Sequence, residues 1–209
     1  MLYEVSASPK PGLVDRYNPG AHDDMDFFTF IDSSSVLFSY FHRCTRAGIY
    51  FQGNNYTQLL KEIRPLGIRA EQAMFSATSG VNTHKGLIFS LGIIAAAAGS
   101  LFNTKKHTGY RSTYILNRVQ LITKGITREL EEVKDKIEVT YGESLYQRYG
   151  ITGIRGEVEA GFPTVIKYAL PIFNSLMEEG KYHINDILVH TLLYLIANTE
   201  DSNILGRHG

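Results

Sequence analysis

His84 and Lys85 fall in the first turn of a strongly apolar segment, Gly86 to Phe102, directly after Asn82 and Thr83. Asn82 or Thr83 can cap a helix with a side-chain oxygen. A cation at that point opposes the positive end of the helix dipole by ~0.3–1 kcal/mol. Two readings account for Lys85: it snorkels to water or pairs with a carboxylate, or an anion is held there by free backbone N–H groups, the dipole and the ammonium together. Arg155 carries the second chemistry too. It lies between Gly153 and Gly156, where missing side chains let a ligand approach the backbone, and its planar fork suits phosphate.

The acids gather elsewhere in the chain. His22, Asp23, Asp24 and Asp26 crowd the start of another helical stretch, and helical spacing puts Asp26 on nearly one face with His22 and with Asp23. They serve as dipole-favoured N-terminal charge, with Asp23 or Asp24 as the cap, or as oxygen ligands for a divalent cation. Glu71 is a further candidate acid, its alternative being an exposed helical Glu paired with a neighbouring Arg. Lys10, Asp15 and Arg16 sit in the stretch Pro9 to Gly20, which Pro9 and Pro11 hold rigid.

These residues need helices to position them. Gly86 to Phe102 is apolar or small at nearly every position, so it reads as a helix with no solvated face, running through the middle of the protein. Before it come a short helix ending near Val5, a helix with Phe27, Phe30, Ile31, Phe38 and Phe41 on one stripe, and a helical stretch from Leu59 that Pro65 and Gly67 interrupt. After it, Ile115, Val119, Ile122, Ile126, Leu130 and Val133 step by three and four, which predicts one long amphipathic helix that packs on the core or on a second subunit. A short helix spans Tyr141 to Tyr149, and the glycines from Gly150 to Gly161 break regularity. Pro163 starts the next helix, Pro171 kinks it and Gly180 ends it. Asn185 or Asp186 caps a final helix that delivers Asp201, Asn203 and Arg207 beyond its end. No strand pattern or repeat interrupts this order. The fold class is all-α: a single helical domain, residues 1–209, around a buried central helix.

Lys plus Arg equals Asp plus Glu at 21 each, so no global field draws nucleic acid or an acidic membrane surface. A single cysteine, Cys44, excludes an internal disulfide. The apolar run is short of 18 unbroken apolar residues, which favours a buried helix over a membrane span. No signal-peptide pattern opens the chain, and the expected location is cytoplasmic.

Ala77-Thr78-Ser79-Gly80-Val81-Asn82-Thr83-His84-Lys85-Gly86 closely resembles the signature of the triphosphoribosyl-dephospho-coenzyme A synthase family, which makes the prosthetic-group precursor of citrate lyase and malonate decarboxylase. Other blocks agree in the same order: Pro9 to Asp15, Gly20 to Asp26, Gly153 to Glu157 with Gly161-Phe162-Pro163, and Asp201-Ser202-Asn203 with Arg207. His208 departs from the pattern, where glycine is expected, and relatives continue past the position of Gly209, so the chain is expected to be a member truncated at its C-terminus.

The resemblance implies an enzyme that transfers the triphosphoribosyl group of ATP to 3'-dephospho-CoA with release of adenine. ATP is then a substrate and magnesium its expected companion; no nucleic acid or membrane partner is implied, and a homodimer is compatible. Such chemistry needs a clamp on the triphosphate, a carboxylate near the reacting centre and a proton donor to adenine. The resemblance assigns Lys10, Lys85, Arg155 and Arg207 to phosphates. Asp23, Asp26 and Asp201 go to metal binding or the base role, and His84 or Glu71 to acid work. Asp15, His22, Asn82, Thr83, Glu157 and Asn203 complete the substrate-binding set.

Two rivals remain. A metal phosphohydrolase could use His22 and Asp23 with His84 and Asp201, but that pattern wants a histidine upstream of His22 and none is present. The other is an inactive homologue that binds nucleotide or a partner protein.

Overall fold

A computed structural model of the chain describes residues 1–102, 112–131 and 140–199. Among them every regular element is a helix, and no helix is long and apolar enough to cross a membrane. The central pieces are α2 (Phe27–Tyr50), α3 (Thr57–Ala77) and α4 (Lys85–Leu101), preceded by a short α1 (Leu2–Ser6). Beyond them lie α5 (Ser112–Thr123), α6 (Arg128–Glu131), α7 (Tyr141–Tyr149) and α8 (Gly153–Glu159). A π-helical turn (Val165–Ala169) then leads into α9 (Leu170–Glu179), and α10 (Ile184–Asn198) follows.

The apolar segment becomes α4, and α2, α3, α5 and α8 pack around it. Ile88, Ile93, Ala96 and Ala97 are buried there with Leu37 and Cys44 of α2 and Met74 of α3. Small residues set how closely α2 and α4 approach. A Cβ on Gly99 would stand 2.1 Å from the Thr45 carbonyl oxygen, and one on Gly48 would stand 2.1 Å from that of Ala96. Only backbone fits at this crossing. Burial is not complete on every side as expected, because Lys85, Gly86 and Leu91 remain exposed.

Four local expectations are corrected. Pro65 does not interrupt α3; Leu59, Ile63, Ala70 and Met74 bury one continuous stripe on both sides of it, and that tertiary burial outweighs the missing donor. The long helix expected from Ser112 is broken at Gly125, whose φ is +86°. The Glu159 carboxylate braces the break, accepting from the Gly125 amide at 2.5 Å and the Thr127 amide at 3.1 Å. Arg155 lies on a helix, α8, rather than in an irregular glycine stretch. Asn185 does not cap α10; its amide is occupied 177 residues away, where it accepts from the Ser8 N–H at 3.0 Å and donates to the Ser8 carbonyl at 2.8 Å.

Candidate active site

The turn joining α3 to α4 is built by its own hydroxyls and by two left-handed residues. Thr78 Oγ1 is 2.9 Å from the Met74 carbonyl and 2.6 Å from that of Val81, while Ser79 (φ +53°) and Gly80 (φ +92°) reverse the chain. Glycine removes the side-chain penalty at the second position. Asn82 Oδ1 then accepts from the Lys85 amide at 3.3 Å, so Asn82 provides the capping contact and His84 occupies the cap position without one.

His84 turns inward. It is buried edge-on against Phe30, with ring centroids 4.9 Å apart, and its Nδ1 lies 2.6 Å from the Ser33 hydroxyl, which itself accepts from Thr83 Oγ1 at 2.7 Å. Burial pushes the imidazole pKa down, and Lys10 and the N-terminal ammonium add to that, against an opposing pull from Glu4. The ring is therefore neutral around pH 7. Its Nε2 is buried and finds no hydrogen-bond partner among the described residues. Thr83 and His84 fasten the turn to α2.

Asn82, Lys85 and Gly86 face the other way, into a cleft of about 710 Å³. Lys85 Nζ pairs with Glu71 Oε2 at 3.2 Å, so the carboxylate partner foreseen for this cation is present. Arg155 enters the same cleft from α8. Its guanidinium stands 3.7 Å from the buried Glu143 carboxylate, and its Nη1 is buried with no hydrogen-bond partner among the described residues. Arg64 and Glu129 form a third pair along the cleft, at 2.6 Å. The Lys85–Glu71 and Arg64–Glu129 pairs are partly exposed, and pairs of this kind contribute ~0–1 kcal/mol to stability. Each cation keeps donors beyond those its partner uses.

The remaining expected site residues among those described do not line this cleft. Asp15 is buried in the loop of residues 7–26, where it accepts from Ser8 Oγ (2.9 Å) and from the amides of Lys10 (3.1 Å), Tyr17 (2.8 Å) and Asn18 (3.1 Å). Burial alone would raise its pKa, but these bonds together hold it below the ordinary value. Lys10 is also buried, with its ammonium 2.5 Å from Glu4. Glu157 holds the start of the next helix, accepting from the Thr164 amide and hydroxyl at 2.9 Å each.

At the start of α2 the cap is Asp26, not Asp23 or Asp24. It accepts from the Thr29 amide at 2.9 Å and hydroxyl at 2.8 Å, and Thr29 Oγ1 accepts in return from the Asp26 amide at 3.1 Å. These bonds lower its pKa. His22 Nδ1 lies 3.6 Å from Asp24, and Asp23 is exposed. No group of three His, Cys, Asp or Glu side chains suited to a metal ion occurs among the described residues. His22, Asp23 and His84 therefore form no such group by themselves. Asp201, Asn203 and Arg207 lie outside the described residues.

Four participants, Glu143, Ser33, Arg64 and Glu129, escaped sequence reasoning. Glu143 carried a signal, Thr140-x-x-Glu143, that reads as a capping box, and Thr140 and Glu143 do form that box. Nothing in the pattern added that the same carboxylate would meet Arg155. Ser33, inside the run Asp32 to Ser35, and the Arg64–Glu129 pair needed the tertiary fold to be seen.

Comparison with known proteins identifies the family of the chain. The family model described as ATP:dephospho-CoA triphosphoribosyl transferase matches residues 1–209. A protein of Vibrio cholerae serotype O1 (strain M66-2) named "Probable 2-(5''-triphosphoribosyl)-3'-dephosphocoenzyme-A synthase" is 44% identical over 211 residues, covering 100% of this chain and 66% of the relative. Relatives of the same name from Lactiplantibacillus plantarum (42% identical, 99% of this chain and 71% of the relative) and Streptococcus mutans (39% identical, 100% and 73%) are similar. The chain spans about two thirds of the length of the Vibrio relative. No solved structure matches it.

Proposed function

We propose that this chain, which belongs to the ATP:dephospho-CoA triphosphoribosyl transferase family, transfers the triphosphoribosyl group of ATP to a ribose hydroxyl of 3'-dephospho-CoA. The hydroxyl oxygen forms a bond to C1' of the ATP ribose while the C1'–N9 bond breaks. Adenine leaves with the bonding electron pair and takes up a proton, the attacking hydroxyl loses one, and the triphosphate stays on the transferred sugar. The observation that carries this reading is the meeting in one cleft of Glu71, Asn82 and Lys85 with Arg155, which lies 70 residues beyond Lys85 in the sequence.

Lys85 and Arg155 take the triphosphate in this reading, with the α4 N-terminus behind Lys85. Glu71 lies where a carboxylate can orient the acceptor hydroxyl and stabilise positive charge developing at C1'. His84, tied to Ser33 and neutral, holds the turn in place. Lys10, Asp15, Asp26 and Glu157 act through structure, by fixing the loop, α2 and the segment after α8. The described acids do not fit a resident magnesium site, because Asp26 is committed to its cap and Asp23 lies outside the cleft. Magnesium enters as the counter-ion of ATP, which needs only one or two protein carboxylates. A cytoplasmic, homodimeric enzyme supplying the citrate lyase or malonate decarboxylase prosthetic group completes the proposal. Chromatographic detection of adenine from ATP, dephospho-CoA and magnesium tests it: adenine equal to product supports it, and ADP or pyrophosphate in its place refutes it.

A further inference from the structure

We propose that the end of the cleft remote from Lys85 binds the pantetheine arm of dephospho-CoA, an inference that rests on the transferase reading above. The cleft follows one face of α3, touching Leu60, Ile63, Arg64, Gly67, Ile68 and Glu71. At 1.5 Å per residue this face runs ~16 Å from Leu60 to Glu71. Its two ends differ in chemistry. Glu71 lies beside Lys85 and the α3–α4 turn. Toward Leu60 and Ile63 the walls are Ile93 of α4 with Ile126 and Leu130 from the segment around α6.

At the apolar end a triphosphate would meet Leu60, Ile63, Ile93, Ile126 and Leu130 and a single cation, Arg64, already paired with Glu129, so most of its charge would be unpaired there, which is costly. Both substrates carry adenosine and phosphates, and only dephospho-CoA adds a long, uncharged arm of methylenes, a gem-dimethyl group and two amides. That arm matches an apolar trough with sparse polar groups. Arg64 and Glu129, paired across α3 and α6 at 2.6 Å, are the charged groups lining this stretch, and they offer a donor and an acceptor to the amides. Placing the triphosphate at Lys85 and the arm at Leu60 leaves the acceptor ribose between them, on the Glu71 side.

ADP supplies the control, because it is the nucleotide part of dephospho-CoA without the arm. Calorimetric titration of the full chain with dephospho-CoA, ADP and ATP should be compared for the parent, Arg64→Ala and Leu60→Asn. The Arg64 side chain is 49% exposed, so its substitution leaves the fold intact even if Leu60→Asn proves unstable. The parent should bind dephospho-CoA more tightly than ADP, and each folded variant should lose roughly tenfold or more in dephospho-CoA affinity, with ADP and ATP affinities unchanged. Equal affinity of the parent for dephospho-CoA and ADP would overturn the proposal, as would an advantage for dephospho-CoA that survives Arg64→Ala. Selective loss of dephospho-CoA binding in a chain that releases no adenine would support the arm site and count against the transferase reading alone.

Discussion

Lys85 Nζ and Glu71 Oε2 lie 3.2 Å apart across the α3–α4 turn, on the wall of the cleft that Arg155 also lines. The pair neutralises a cation that the α4 dipole disfavours, yet both side chains remain partly exposed, so the fold draws little stability from it. Lys85→Ala should therefore weaken ATP binding by roughly ten- to a hundredfold, the size of a lost charge-assisted contact, with a nearly unchanged melting temperature. Titration calorimetry beside a thermal melt checks this. A large fall in melting temperature with normal ATP affinity would return Lys85 to a structural role.

Glu71→Gln should show the opposite division. Removing the carboxylate frees Lys85 for phosphate, so ATP binding holds or tightens while kcat falls by roughly a hundredfold or more, as for loss of a group acting in the transition state. Steady-state kinetics at saturating ATP would read this directly. Unchanged kcat excludes Glu71 from the reacting centre.

Asp15→Asn separates fixing the loop from touching substrate. The change takes a charged acceptor from four hydrogen-bonded groups, and should cost about 1.5–3 kcal/mol of stability in urea unfolding. ATP affinity of the folded fraction should match the parent. Because the native pKa of Asp15 lies below its ordinary 3.8, its contribution is fully present above that pH and is lost as pH falls through the lowered native value.

His84 gives a second window. Its native pKa lies below the ordinary 6.5, so the unfolded chain takes up its proton first as the solution is acidified. Stability is unaffected by this group above pH 6.5 and declines from there down to the lowered native value. Equilibrium unfolding across that range should show His84→Asn with a flatter decline than the parent. Identical slopes would mean that the buried imidazole is not what titrates.

Gly99→Ala should destabilise the chain by about 1–3 kcal/mol through overpacking, since the added Cβ meets the Thr45 carbonyl oxygen rather than a side chain able to move. A thermal melt unchanged from the parent would show that α2 and α4 can separate without cost.

The helical class and the central place of α4 were legible because burial imposes composition, and a segment with little polar surface has few other places to go. Lys85 was legible as well, since a cation at a helix N-terminus is an electrostatic anomaly visible in one dimension. The split between the two faces of the turn was not. Asn82, Thr83, His84 and Lys85 are consecutive, and only the Ser33 hydroxyl and the Glu71 carboxylate decide that His84 turns into the core and Lys85 into the cleft. Asp15 and Asp26 share motif blocks with reactive-looking neighbours, yet hydrogen-bond geometry commits both to backbone amides. Glu143 is the reverse case, a capping residue by pattern that also reaches Arg155 through the fold.

The most direct test is product analysis after incubating the chain with ATP, dephospho-CoA and magnesium. Free adenine should accumulate in equal amount to a conjugate that retains all three ATP phosphates, and Lys85→Ala and Glu71→Gln should both suppress it. Absence of adenine, or ADP or pyrophosphate formed in its place, would contradict triphosphoribosyl transfer in the α3–α4 cleft.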